Sequence, residues 1–335
     1  MIRALMLAFV AALAACSKEN SAQQNAPAPS AAPIKLGFIV KQPEEPWFQL
    51  EWQFADEAQK QFGFSLVKIG ASDGERVLAA IDNLAAQGAQ GFVICTPDVR
   101  LGPAIVARAK AKNLKLFTVD DRFLGVDGKP LEDVHYLGIS ASKIGASVGV
   151  ALAAEQLKRG WTNDETGVIA VTFEELETAK ERTDGAIEAL VGSGFPAARI
   201  FKAPTQKSEI PAALDAVSAL LTQHGDVKRW LVCGMNDNAV LGAVRALEGR
   251  GFGPDSVAGI GINGTDCIVE LEKANPTGFC ASVLLSARQH GYQTCEMLYR
   301  WIKDGVEPPL ETRTTGVLIT RANFKRVLKD QGITR

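Results

Sequence analysis

Charged and amide side chains crowd the positions that follow short apolar runs in this chain. Lys41-Gln42-Pro43-Glu44-Glu45-Pro46-Trp47-Phe48 follows the run ending at Val40, and Cys95-Thr96-Pro97-Asp98 closes the run that begins at Gly91. Asp120-Asp121, Met235-Asn236-Asp237 and Asn263-Gly264-Thr265-Asp266 follow three further runs. An ammonium group, carboxylates and carboxamides are directional donors and acceptors, and an indole is an apolar platform. Together they suit a small polyhydroxylated molecule. Its hydroxyls must be matched on burial, because an unpaired polar group costs about 1–3 kcal/mol, while its C–H face packs on an aromatic ring. Each group alone has a plainer reading. An Asp or Asn after a strand caps the next helix, and Trp47 and Phe48 can be core residues of the helix they begin.

Other chemistries are poorly supplied. Glu45 with Asp120 or Asp121 could act as the acid and nucleophile of a glycosidase, since that reaction needs two carboxyl groups around a sugar. Gly259-Ile260-Gly261-Ile262-Asn263-Gly264 fits the spacing of a dinucleotide-binding turn. Its first glycines fall inside an expected strand, however, and Ala281–His290 lacks the acidic residue that would hold a ribose. There is no H-E-x-x-H and no Walker lysine, and the histidines are His135, His224 and His290. Without a C-x-x-C pair or a histidine cluster, neither a metal nor a cofactor is expected.

The elements that must carry these residues alternate. Apolar, β-branched runs are expected as strands at Ile34–Val40, Phe64–Ile69, Gly91–Cys95, Lys115–Val119 and Tyr136–Ile139. A second series comprises Val168–Thr172, Arg199–Lys202, Trp230–Val232, Val257–Ile262 and Gly278–Leu284. Amphipathic intervals include Pro46–Phe62, Ser142–Arg159, Thr178–Gly192, Asn238–Arg250 and Ser286–Asp304. Continuous apolar strands bracketed by helices imply parallel sheets covered on both faces, in an α/β chain with two doubly wound sheets. Ligands of such sheets bind beyond the carboxyl ends of the strands, which is where the polar residues fall. A weak echo, GFVICTPD at Gly91–Asp98 and LVCGMNDN at Leu231–Asn238, supports two similar halves.

The 335 residues, 47% hydrophobic and 22% charged, are enough for two domains with their own cores. A net charge of −2 gives no broad basic field for a phosphate backbone, so no nucleic-acid partner is expected. Arg3 followed by the apolar Ala4–Ala15 reads as a secretory signal, too short to span a bilayer. Leu13-Ala14-Ala15-Cys16 resembles the bacterial lipobox, which implies lipidation of Cys16 and a membrane anchor. Residues 17–33 have almost no bulky apolar side chain and are expected to be a flexible tether. Of the remaining cysteines, Cys95 and Cys233 lie in apolar runs, and a Cys267–Cys280 bridge stays open.

The strings KLGFIVKQPEEPWFQ, GFVICTPD, VDD, KIG, ETAKERTDGA, GMNDNAVLG, GIGINGTD, VEPP and LITRANF, in that order, resemble the L-arabinose-binding members of the type I periplasmic sugar-binding protein family. The resemblance runs from Ile34 to Gly332. It implies two lobes, 34–139 with 286–314 and 140–285 with 315–335, joined by a three-segment hinge that closes over the sugar. It also implies a non-enzymatic, monomeric receptor that delivers a monosaccharide, L-arabinose first, to the permease and ATPase of an ABC importer. Sugar hydrogen bonds are implied for Lys41, Glu45, Asp120, Asp121, Arg182, Asn236, Asn263 and Asp266, stacking for Trp47, and a wall of Phe48, Cys95, Leu176 and Met235. Arg182 rests on the resemblance alone, since Lys180, Glu181, Arg182 and Asp184 otherwise read as a solvated helix face. Lys143 is explained by helix-start chemistry. The pattern departs at Ile139, where the family has a methionine near the sugar's C5 region. A shorter, stiffer side chain there could favour D-galactose or D-fucose.

Overall fold

The computed structural model describes residues 33–333. The signal, the lipobox with Cys16, and the tether up to residue 32 lie outside the described residues. The chain begins with β1 (Lys35–Val40), α1 (Pro46–Phe62), β2 (Ser65–Gly70), α2 (Gly74–Ala86), β3 (Gly91–Ile94), α3 (Gly102–Ala111), β4 (Lys115–Val119) and β5 (Tyr136–Ile139). It continues through α4 (Ala141–Lys158), β6 (Thr166–Thr172), α5 (Glu177–Gly192), β7 (Ile200–Pro204), α6 (Ile210–Leu221), β8 (Arg229–Gly234) and α7 (Asp237–Glu248). The last elements are β9 (Val257–Asn263), α8 (Ile268–Glu272), β10 (Phe279–Leu285), a π-turn at Gln289–Gln293, α9 (Thr294–Asp304), β11 (Glu311–Thr314), β12 (Gly316–Thr320) and α10 (Phe324–Asp330).

Two six-stranded sheets result, in the orders β2-β1-β3-β4-β5-β11 and β7-β6-β8-β9-β10-β12. Every pairing is parallel except β10 with β12. The α/β class and the two doubly wound sheets agree with the alternation of apolar runs and amphipathic intervals. The chain passes between the sheets three times, after β5, after β10 and after β11. Strand order reverses beside β1 in the first sheet and beside β6 in the second, and these switch points open the crevices of doubly wound sheets.

The central strands read as unbroken apolar runs because both faces are covered. Phe38, Phe92 and Phe117 in the first sheet, and Trp230 and Phe279 in the second, are all buried. Each such side chain contributes roughly 1.5–3 kcal/mol on leaving water. Helix α1 starts where Pro46 occupies its first turn and stops at Gly63, whose φ of 74° ends the helix in a left-handed cap. The interval Ser286–Asp304 is helical without a break from 287 to 304, but Gln289–Gln293 within it is π-helical, a π-turn in which His290 and Gly291 are buried before α9 continues. Neither edge strand is among the expected runs: β11 (Glu311–Thr314) has no apolar residue, while β12 (Gly316–Thr320) carries Val317-Leu318-Ile319, of which only Ile319 is buried.

All five cysteines in the described residues are free, so the Cys267–Cys280 bridge left open by the sequence is not formed. Both thiols have pKa values raised by burial, that of Cys280 to about 12.

Candidate functional site

The strand ends converge on one cavity of about 1130 Å³ whose walls come from both sheets. From the first side come Lys41, Glu45, Trp47, Phe48, Asp120, Asp121 and Ile139; from the second, Leu176, Arg182, Met235, Asn236 and Asn263. Cys95 and Asp266 do not line it. Cys95 is fully buried, with its Sγ 3.8 Å from an Asp121 oxygen, while Asp266 accepts from Thr265 Oγ1 at 3.4 Å and lies close enough to raise the pKa of Glu45. Lys143 is exposed and lies away from the cavity.

Local backbone conformation aims the polar groups. Among the described non-glycine residues, Asp120 and Asn263 have positive φ, 65° and 110°, together with Asn113. Two strand-end residues held in a sparsely populated region must be fixed by their surroundings. For Asp120 the anchors are Tyr136 Oη, which donates to its carbonyl at 2.9 Å, and Leu137 O, which accepts from its N–H at 3.0 Å. For Asn263 the anchor lies in the next turn. Gly264, at φ 78°, packs so tightly on Leu284 that a Cβ would sit 2.5 Å from the Leu284 Cα. Its N–H donates at 2.9 Å to Asp237, a buried carboxylate that also receives Cys267 N at 3.3 Å and Ser282 Oγ at 2.5 Å. Burial pushes the Asp237 pKa up to about 7.

The floor is an ion pair. Lys41 Nζ lies 2.5 Å from Asp121 Oδ2, and Thr178 Oγ1 of α5 donates to Asp121 Oδ1 at 3.2 Å, joining the two sheets' elements across the cleft. Burial alone would lower the Lys41 pKa; the Asp121 carboxylate beside it holds it above the ordinary lysine value. Asp120 has its own donors, Trp47 Nε1 at 3.2 Å and His290 Nδ1 at 2.7 Å. Despite burial, the His290 bond and the Lys41 charge keep its pKa below the usual carboxylate value. The Trp47 indole is thereby fixed on two sides, since its ring also meets His290 edge-on at 5.2 Å.

On the opposite wall, Arg182 Nη1 donates to Met235 O at 2.8 Å, while its buried Nε has no partner among the described residues. Burial lowers its pKa, opposed by the fields of Asp121 and Asp120. Asn236 keeps its helix-capping role: Oδ1 accepts from Ala239 N at 2.8 Å and Nδ2 donates to Ser208 O at 3.1 Å, leaving only its remaining amide valences for the cavity. Burial raises the Glu45 pKa, and Asp266 adds to the rise. The glycine motif at 259–264 lies within and just after β9, with no helix start to cradle a phosphate.

Several residues of the site escape a reading of strand ends. Thr178 and Tyr136 carry no mark in the sequence. Glu51 does: it falls four residues after Trp47 and four before Ala55, on the buried stripe of α1, where a charged residue breaks the apolar pattern. His290 sits beside it because of the π-turn, which periodicity does not announce.

Residues 34–327 match the family described as periplasmic binding proteins and sugar binding domain of the LacI family. The chain is 51% identical over 326 residues to the L-arabinose-binding periplasmic protein of Escherichia coli, covering 97% of this chain and 98% of that one. It is 48% identical over 303 residues to an ABC transporter L-arabinose-binding periplasmic protein of Azospirillum brasilense, covering 90% and 91%. Among solved structures, the periplasmic ribose ABC transporter protein of Conexibacter woesei aligns with a TM-score of 0.74 at 19% identity, covering 90% of this chain and 96% of that one. An arabinose-binding protein of Geobacillus stearothermophilus aligns with 0.68 at 17%, covering 88% and 99%, and likenesses this remote speak for the fold alone. The family match along nearly the whole folded span, joined to two relatives at about half identity, shows that the chain belongs to the periplasmic binding proteins and sugar-binding domains of the LacI family.

Proposed function

We propose that the chain is an extracytoplasmic receptor that captures one monosaccharide, L-arabinose in the first place, and presents it to an ABC importer. The observation that carries this reading is the meeting of Trp47, the Lys41–Asp121 pair and Arg182 around one cavity between two sheets. Charged hydrogen bonds there can match sugar hydroxyls while the indole covers the C–H face. The moving bodies in this reading are residues 34–139 with 286–314, and 140–285 with 315–335. Their closure removes the charged bonds from water, and an importer can distinguish closed from open. Both relatives are L-arabinose-binding periplasmic proteins, which supports the ligand, and the Azospirillum brasilense one is an ABC transporter protein, which supports the partner. Export by the N-terminal signal, lipidation at Cys16 and a monomeric state belong to the same proposal.

The test is titration of the purified folded domain with L-arabinose, D-galactose, D-fucose, D-xylose, D-ribose and D-glucose, alongside an assay for aryl-glycoside turnover. One-to-one binding led by L-arabinose, without turnover, is expected. Turnover would favour the glycosidase reading instead, although Asp120 and Asp121 are both committed to donors and Asp121 to a cation. A second ranking, with D-galactose or D-fucose ahead, is favoured by Ile139, which lines the cavity at 2% exposure. Radiolabelled palmitate incorporation that Cys16→Ala abolishes would support the anchor.

A further inference from the structure

Glu51 does not line the cavity, yet its carboxyl group belongs to the same cluster: one atom each from Glu51, Asp120 and His290 lie within 4.8 Å of one another. Glu51 Oε1 is 3.7 Å from His290 Nδ1, and no described N–H or O–H group donates to either Glu51 oxygen although the residue has no exposed surface; a side-chain hydrogen bond to the Asp120 carboxylate is open to it, and it needs a proton on one of the two acids. The enclosure is tight. A Cβ at Gly291 would sit 2.1 Å from the Glu51 carbonyl oxygen, so the π-turn presses directly on α1 at this point.

The titratable groups around Glu51 are Asp120 and Asp121 after β4, Lys41 after β1, Cys95 at the end of β3, His290 in the π-turn and Cys295 on α9. Two carboxylates in such a volume cannot both stay charged, and a buried charge without donors is the more costly of the two. Asp120 has the donors, Trp47 and His290. The proton therefore falls to Glu51.

We propose that Glu51 is a positioning residue of the binding site, a protonated carboxylic acid that backs Asp120 and keeps it a charged acceptor turned toward the ligand. Burial, and next the field of Asp120, raise the Glu51 pKa well above the usual carboxylate range, in keeping with that geometry. The His290 ring completes the frame by bridging Asp120 to Thr314 Oγ1, 2.9 Å from Nε2, at the end of β11 where the chain makes its third passage between the sheets. When Glu51 ionises at higher pH, like charges oppose each other behind the site and Asp120 is displaced.

This inference rests on the sugar-binding reading, and its test separates the two. Calorimetric affinity for L-arabinose would be followed from roughly pH 5 to 9 in the wild-type chain and in Glu51→Gln, Glu51→Asp and Glu51→Met. Glutamine keeps a donor and removes the titration, aspartate keeps the acid, and methionine keeps the bulk without a donor. Glu51→Gln is expected to bind within about threefold of wild type, and any alkaline loss of affinity in the wild-type chain to shift in Glu51→Asp and vanish in Glu51→Gln. Glu51→Met should be about tenfold weaker throughout. A folded Glu51→Gln that keeps a wild-type alkaline limb, or that binds as poorly as Glu51→Met, would overturn the proposal. Failure of the wild-type chain to bind any of the six sugars at any pH would instead remove the parent reading.

Discussion

Thr178 Oγ1 donates to Asp121 Oδ1 at 3.2 Å, so a helix that follows a strand of the second sheet bonds a carboxylate at a strand end of the first. The other oxygen of that carboxylate carries Lys41. Asp121 is therefore the point at which the ion pair of one half and the helix of the other meet.

Thr178→Val removes this cross-cleft bond while keeping shape. A hydrogen bond to a charged acceptor contributes about 1.5–3 kcal/mol, part of which water restores in the open form. The expected result is an affinity for L-arabinose reduced by about tenfold, expressed in a faster dissociation rate, with little change in melting temperature. Stopped-flow displacement and a thermal melt measure the two.

Asp237 makes stability depend on pH. Its pKa is about 7 in the folded chain against 3.8 ordinarily, so between those values the folded form binds a proton that the unfolded form has lost. Stability is then greatest at the acid end of that window and falls as pH rises through it, by a few kcal/mol on the order of 1.4 per pH unit. Asp237→Asn can still accept from Gly264 N and Cys267 N and can donate to Ser282 Oγ, so this slope should vanish while the Asn263 turn survives. Urea melts at several pH values read the difference between the two proteins.

Ile139→Met is expected to change the order of L-arabinose, D-galactose and D-fucose in calorimetry. The side chain is buried against the cavity at the end of β5, and a flexible thioether fills volume that a branched chain does not. An unchanged order would show that position 139 does not set the preference.

Much of the fold is legible in the residues because parallel strands covered on both faces must be apolar throughout. Helix α1 was readable from Pro46 to Phe62, since proline opens it and Gly63 ends it. Edge strand β11 was not, because Glu311–Thr314 has no apolar residue, whereas β12 carries the signature in Val317-Leu318-Ile319 and was simply passed over. Within the site, strand-end polarity points to Lys41, Asp120, Asp121 and Asn263. The same logic included Asp266, which stands outside the cavity lining, and gave no hint of Arg182, whose place on α5 becomes apparent only through family resemblance or three-dimensional packing. Helix periodicity shows which face Arg182 occupies but not that this face meets a cleft. Asn236 shows the converse: the capping role and the cavity role fall on one side chain.

The most direct test is calorimetry of L-arabinose binding to wild-type chain and Asp121→Ala. Removing this carboxylate leaves the buried Lys41 ammonium without its partner and, on the proposed reading, the sugar without an acceptor, an expected loss of about 2–5 kcal/mol. A one-to-one wild-type isotherm and a variant that stays folded but binds at least about thirtyfold more weakly are expected. Undiminished affinity in a folded Asp121→Ala chain would place the binding site elsewhere and contradict the account.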